Sequence, residues 1–426
     1  MSRKERIIIL ILSALNFTHI LDFMIMMPLG NFLMPRFDIS AQAFGLLVAV
    51  YSISAGVSGF AAAFFVDRFD RKRILLFGYI GFLVGTLACG FAPNYALLLF
   101  ARIFAGTFGG LIGAQVLSIV ADMFGYERRG MAMGAIMSSF AAASIVGVPL
   151  ALYLANHSGW HAPFILVGIL GAVVTPLIIL FVPSMTSHIK VQTNNSSHWK
   201  VLGEVVSHVQ QRNALIFTAL IMLGHFLIIP FVNPYLEFNI GYSKNQTPMI
   251  YLVGGLASFV SAYVLGRLSD RYGKLLIFTY SILLSLVVVW GVTHWVAVPF
   301  WITLVVFGIW FVLSTGRMVT ANAMISNVVK PEQRGSFMSF NGSLQQMGTA
   351  LASLIAGFVI IKGPDNKIQH YDWVGYLSIA FLFAALVLAR QLFAGMDKKA
   401  EVGSLPAGQA GKKAEVRMEV EVQPEV

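Results

Sequence analysis

Charge is scarce in this sequence: Asp, Glu, Lys and Arg make up 11 % of its 426 residues, against 57 % hydrophobic residues. Soluble globular chains carry about 25 % charged residues, so that class is excluded. Cysteine is scarcer still. The single Cys89 lies in an apolar stretch, which rules out a disulfide framework and a cysteine metal site. No phosphate-binding lysine loop, metal-ligand cluster or nucleophile–base arrangement stands out. That disfavours an enzyme and ATP-driven chemistry, and it leaves no cofactor or metal to expect. What is abundant is apolar length. Mean hydropathy is +0.77, and many runs reach the roughly 20 residues that a bilayer-spanning helix needs. The net charge of +10 then reads as the basic bias of membrane loops rather than as affinity for nucleic acid.

Charges, prolines and polar clusters divide the chain into twelve expected spans: 7–33, 41–66, 74–92, 95–123, 131–154, 162–182, 213–234, 249–267, 275–294, 299–328, 335–361 and 374–394. The first follows Ser2-Arg3-Lys4-Glu5-Arg6; it is too long for a signal-peptide core and reads as a retained helix. The polar stretch 183–212, with Thr193-Asn194-Asn195-Ser196-Ser197, reads as a linker. The tail 395–426 has little apolar periodicity and is expected to be disordered. With both termini cytoplasmic, 23 of the 29 Lys and Arg residues fall on the cytoplasmic side. Only Arg36, Lys244, Lys362 and Lys367 face outward, and Arg102 and Arg317 lie inside spans. The positive-inside rule favours this topology over its inverse.

A charged phrase occurs twice between spans. Asp67-Arg68-Phe69-Asp70-Arg71-Lys72 is matched 203 positions later by Asp270-Arg271-Tyr272-Gly273-Lys274. Arg128-Arg129-Gly130 is matched 205 positions later by Gln333-Arg334-Gly335, and Met27-Pro28 202 positions later by Ile229-Pro230. Nearly constant offsets imply a duplication. The expected fold is therefore an all-α membrane protein of twelve helices in two pseudo-symmetric six-helix bundles. The first bundle covers 1–182 and the second 213–394, joined by the cytoplasmic linker 183–212. Parallel repeats of this kind occur in transporters.

At these residues the sequence resembles the major facilitator superfamily, in its twelve-helix drug/proton antiporter and sugar-efflux-like branch. The family's loop signature, Gly-x-Leu-Ala-Asp-Arg-x-Gly-Arg-Lys, is met by Asp67, Arg68, Arg71 and Lys72, with Ala63 and Asp70 at the glycine positions. The second copy, Gly266 to Lys274, keeps both glycines. Arg102 in Phe100-Ala101-Arg102-Ile103-Phe104-Ala105-Gly106 resembles the arginine motif of the fourth helix. Gly147-Val148-Pro149 is similar to a degenerate form of the fifth-helix antiporter motif.

Ionisable groups inside hydrocarbon are costly, about 2.5–3.5 kcal/mol on insertion scales, so they are functional candidates. Asp22 reads as the only acid well inside a span. With His19 and Asn16 it forms one helical face at i, i+3, i+6. Burial disfavours its charged form and permits proton capture. The proton-coupling reading takes Asp22 as the carboxylate, His19 as its relay and Arg102 as its partner. The alternatives are a structural polar contact and a static ion pair. Asn16, His225, Asn341 and Gln345 are candidate substrate contacts, with helix-to-helix hydrogen bonding as the alternative for the last two. Arg317 is expected to snorkel toward the cytoplasm, the alternative being an anion contact.

The resemblance also implies a cytoplasmic gate that latches the bundles, formed by Asp67, Arg68, Arg71 and Asp122, with Asp270 and Arg271 in the second copy. The expected activity is proton-coupled efflux, through alternating access, of a small amphipathic, sugar-like or multidrug-type compound by a monomeric inner-membrane antiporter. Its partners are the solute, protons and the lipid bilayer. An importer or uniporter of the same fold, or a non-transporting membrane sensor, are the alternatives.

Overall fold

A computed structural model describes residues 2–124, 126–186, 203, 207–329 and 334–395. The helices of its first half are α1 (Arg3–Met26), α2 (Gly30–Arg36), α3 (Ala41–Phe65), α4 (Arg71–Gly90), α5 (Tyr95–Met123), α6 (Tyr126–Ala142), α7 (Val148–Ser158) and α8 (Ala162–Phe181). The second half holds α9 (Val209–Phe226), α10 (Ile229–Pro234), α11 (Thr247–Tyr272), α12 (Lys274–Thr293), α13 (Phe300–Ser326), α14 (Arg334–Val359) and α15 (Tyr371–Phe393). Eleven helical stretches among the described residues are long and apolar enough to cross a membrane. The eleventh expected span forms α14, 26 residues long, but is not among them. Asn341, Ser343, Gln345, Gln346 and Thr349 dilute its hydropathy. Most of the expected linker and all of the tail beyond residue 395 lie outside the described residues.

Local chemistry sets where helices start and break. Ser2 and Glu5 form a capping box on α1, and Ser40 and Asn94 cap α3 and α5. Pro28 sits in the turn between α1 and α2, and Pro230 at the start of α10, where a missing N–H interrupts the ladder. Pro149 follows a π-helical turn, Ala143–Gly147. A Cβ on Gly147 would meet Leu21 Cδ1 at 2.8 Å, and one on Gly255 would meet the Ile145 nitrogen at 2.9 Å. The widened turn is thus seated between α1 and α11, the usual place for π-turns being a functional region.

The two copies of the charged loop turn differently. Gly273, at φ 101°, is the single residue joining α11 to α12, a conformation costly for any residue with a Cβ. In the first copy a 3₁₀ turn, Val66–Arg68, takes the chain round, and Asp70 caps α4 at φ −59°. Its carboxylate accepts from the Lys72 amide at 3.0 Å, the Met185 amide at 2.9 Å and the Ser184 hydroxyl. An aspartate therefore replaces a glycine because no left-handed residue is needed and a strap after α8 is held instead. Burial acts to raise the Asp70 carboxyl. The Ser184, Met185 and Lys72 donors and the Arg73 charge outweigh it and hold the group below the ordinary aspartate value.

Small residues let helices approach closely. A Cβ on Gly85 would meet Ala105 Cα at 2.7 Å, and one on Gly106 the Tyr51 carbonyl at 2.4 Å, so α5 is pressed against α4 and α3. Between the halves, α3 lies along α14 and α11 along the α6–α7 span. Outward faces carry exposed large apolar side chains such as Leu10, Phe77, Val84, Phe100 and Leu180, as lipid contact requires.

The hydrogen bonds and the ion pair seen between described residues of the two halves lie on the side opposite the start of α1 and the end of α15. Asn31 Nδ2 donates to Glu237, Asn233 Nδ2 to the Pro28 carbonyl at 3.4 Å, and Asn156 Nδ2 to the Lys244 carbonyl at 2.9 Å. Lys362 pairs with Asp38 at 3.1 Å. Lys362 belongs to a two-stranded hairpin, β1 (Ile361–Lys362) and β2 (Ile368–Gln369), an addition to the expected all-α fold. Asn239 clamps it through both the Ile368 amide and carbonyl at 2.8 Å. The molecule is thus closed on that far side.

Candidate functional site

Asp22 and Arg102, 80 residues apart, meet at the centre of the first half. Asp22 Oδ2 accepts from Arg102 Nη1 at 2.8 Å, and the two side chains are 0 % and 1 % exposed. The other carboxylate oxygen, Oδ1, and Arg102 Nε have no hydrogen-bond partner. The guanidinium lies over the Tyr51 ring at 4.2 Å, where ring electrostatics favour a cation. Thr86 and Cys89 neighbour the pair, with the Thr86 hydroxyl beside Asp22.

His19 Nε2 makes no hydrogen bond to the carboxylate. Its ring stands edge-on to Phe82 at 5.3 Å, and its buried Nε2 is unpartnered. Gly109 lies between His19 and Tyr51: a Cβ there would meet Tyr51 Oη at 2.8 Å and His19 Nε2 at 3.0 Å. Asn16, on the same face, donates from Nδ2 to the Ile136 carbonyl at 3.2 Å and ties α1 to α6.

The second half gathers His225, Arg317 and Ser314. Arg317 Nη2 donates to His225 Nδ1 at 2.8 Å and to Ser314 Oγ at 3.2 Å. Arg317 is fully buried, which corrects the expectation that it snorkels. Its head is held by His225 and by Ser314, one turn back toward the start of α13, rather than extended toward the helix end. Asn341 Oδ1 accepts from Thr218 Oγ1 at 2.6 Å, joining α9 to α14. Gln345 Nε2 lies 3.5 Å from Asn322 Oδ1.

A second intramembrane acid corrects the expectation that Asp22 stands alone. Glu237 lies in a π-helical turn, Tyr235–Asn239, that continues the seventh span beyond Pro234. Asn31 and Thr247 donate to its two oxygens, the latter at 2.8 Å. Sequence reading ended the span at Pro234 and so missed it. Tyr51 and Thr86 carried no signal, because an isolated hydroxyl in an apolar run has no pattern.

Of the expected gate, Arg71 Nε pairs with Asp122 Oδ2 at 3.2 Å, within the first half. Asp270 pairs with Lys274 at 3.2 Å, and Arg271 lies 5.2 Å from the Tyr272 ring centre. Arg68 is exposed, and the Asp67 side chain lies outside the described residues. No contact between the two loops is found among the described residues.

The model of the Major Facilitator Superfamily matches residues 12–316 and again 214–417. The uncharacterized MFS-type transporter YceJ of Bacillus subtilis is 24 % identical over 374 residues, covering 85 % of this chain and 90 % of that protein. A probable sugar efflux transporter of Mannheimia succiniciproducens is 24 % identical over 260 residues, covering 60 % of this chain and 64 % of its own length. Among solved structures, a D-xylose-proton symporter superposes with a TM-score of 0.73 at 14 % identity, over 90 % of this chain and 96 % of that one. An inward-facing, occupied bacterial homologue of the lysosomal transporter Spinster gives 0.72 at 13 %, over 92 % and 97 %. Those identities speak for the fold. Two matches of one family model, together spanning nearly the whole helical region, speak for descent: the chain belongs to the Major Facilitator Superfamily and is a membrane transporter rather than an enzyme.

Proposed function

We propose that the protein is a twelve-helix, proton-coupled exporter of a small amphipathic or sugar-like compound, working by alternating access in the inner membrane with both termini cytoplasmic. The observation that carries this reading is the buried Asp22–Arg102 pair, whose carboxylate keeps one oxygen unpartnered. Neutralising Asp22 releases Arg102 from its partner, so proton binding and helix position are linked through one contact. The sugar efflux relative supports export. The second family match begins 202 residues after the first, the offset of Pro28 to Pro230, which supports two six-helix halves. On this topology the far side is the outer side, where Asn31, Asn156, Asn233 and Lys362 join the halves.

The test is flux in proteoliposomes under an imposed pH gradient, with a panel of sugars and amphipathic compounds. Solute-dependent proton movement is expected, and Asp22→Asn is expected to abolish gradient-driven accumulation while sparing downhill exchange. Unchanged accumulation in Asp22→Asn removes that carboxylate from the mechanism. Proton movement absent with every compound sinks the antiport reading and leaves a uniporter or a sensor.

A further inference from the structure

Among the described residues, the buried charge of Arg317 in the second half has no counter-ion. Within the described spans, Asp22 is paired with Arg102, and Glu237 is held by Asn31 and Thr247. Arg317 meets only the neutral acceptors His225 and Ser314. Its Nε and Nη1, which carry three of the five guanidinium N–H donors, are buried without a partner. Guanidinium does not surrender its proton in a protein, and an uncompensated buried charge is strongly unfavourable.

Among the described residues of this half, the buried side-chain polar atoms without a hydrogen-bond partner are of one kind. They are Arg317 Nε, Arg317 Nη1 and Trp310 Nε1, all donors. Trp310 lies two turns before Arg317 on the same helix face, and its ring is 6.1 Å from that of His225. The first half is different, since its unpartnered atoms include the acceptors Asp22 Oδ1 and Gln115 Oε1. A ligand that completes the second half must bring acceptors, and negative charge completes it best.

We propose that Arg317, backed by His225 and flanked by Trp310, is the anion-recognition group of the transport site, so that the compound carried bears a carboxylate or phosphate. This rests on the transporter reading and narrows its substrate to an amphipathic or sugar-like anion. His225 accepts from Nη2 and turns the guanidinium so that its remaining donors face the ligand.

The test is equilibrium binding to the full-length protein in nanodiscs, with no gradient present. The probes are benzoate, its uncharged analogue benzamide, and inorganic phosphate, read by tryptophan emission and by thermal unfolding. Benzoate, phosphate or both are expected to give a saturable change that benzamide does not; which one does so distinguishes a carboxylate from a phosphate substrate. Arg317→Gln should weaken that response at least tenfold, and Arg317→Lys, which keeps the charge but loses the planar fork, should weaken it less. Trp310→Phe should lose the emission change and reduce the thermal shift, because it removes one of the unpartnered donors. Without anion, Arg317→Gln should melt no lower than the wild type, because it removes an uncompensated charge. A markedly lower melting point would assign Arg317 a structural role and overturn the inference. Equal responses to benzoate and benzamide, no response to either anion, or an anion response untouched by Arg317→Gln would overturn it too. Anion binding without proton movement would sink the coupling reading alone, and proton movement driven only by neutral sugars would sink this one alone.

Discussion

The glycine contact between α3 and α14 gives the sharpest prediction. A Cβ placed on Gly45 would lie 2.6 Å from the Ser353 carbonyl oxygen and 3.0 Å from Gly357 Cα. Both obstacles belong to the backbone of α14, so no side-chain rotation relieves them. Ordinary carbon–oxygen contact lies near 3.4 Å, so α3 and α14 must part by just under about 1 Å. Overpacking of this size costs about 1–3 kcal/mol. If α3 and α14 separate on the far side during transport, that cost falls on the closed state alone. The equilibrium then shifts about 5- to 150-fold toward opening. Spin labels at Ser40→Cys and Lys367→Cys, both exposed on the far side, report the separation by double electron–electron resonance, and the native Cys89 is buried. Gly45→Ala should move the population from short to long distances. Gly266→Ala, where a Cβ meets nothing within 4 Å, should leave it unchanged. A folded Gly45→Ala protein with the wild-type distance distribution would refute the claim that this interface opens.

Three further outcomes are expected. Asp22→Asn strips Arg102 of its partner and should cost about 3–5 kcal/mol, seen as a lower melting point; adding Arg102→Met should recover much of that stability without recovering coupled flux. Asp70→Ala removes the cap of α4 and should cost about 0.5–2 kcal/mol at neutral pH. The Asp70 carboxyl is held low in the folded protein, so its contribution is complete above the ordinary value of 3.8 and is lost as pH falls through the folded value. Melting curves of Asp70→Ala and wild type should therefore converge in acid, and a constant gap would contradict the assignment. Asn31→Ala leaves Glu237 with Thr247 alone and removes a link between the halves, so the far-side label distances should lengthen.

The span pattern was legible because apolar length and charge placement are both imposed by the bilayer. The Asp22–Arg102 contact was legible for the same reason: two opposite charges at similar depth in an apolar medium have few other partners. Legibility stopped where backbone geometry decides. Pro234 reads as a helix end, yet the chain continues as a π-turn that carries Glu237 into the span. The substitution of Asp70 for glycine could not be interpreted until the 3₁₀ turn and the Met185 strap came into view. Arg317 looked like a snorkelling residue on position alone, because depth along a helix says nothing about which neighbour its side chain faces. The hairpin at 361–369 was invisible, since each strand is two residues long.

The duplication explains the last prediction. Asp22 and His225 stand at the repeat offset of 203, and each accepts from an arginine at 2.8 Å. The arginines themselves are 215 apart. Arg102 lies 12 residues nearer the far side than the repeat equivalent of Arg317, about 18 Å along the helix, so the two repeat-related acceptors are met by arginines from different turns of their helices. The halves thus share a plan but differ by one charge, a carboxylate in the first and an uncharged imidazole in the second. His225→Asp supplies the missing carboxylate. It should pair with Arg317 as Asp22 pairs with Arg102, and the pair should be at least as stable as a lone buried charge. Its melting point should match or exceed that of the wild type, and its response to benzoate and phosphate should vanish because the counter-ion is now built in. His225→Gln keeps a neutral acceptor and should keep the anion response. Retention of anion binding in a folded His225→Asp protein would mean that the charge of the second half is not what recognises the ligand.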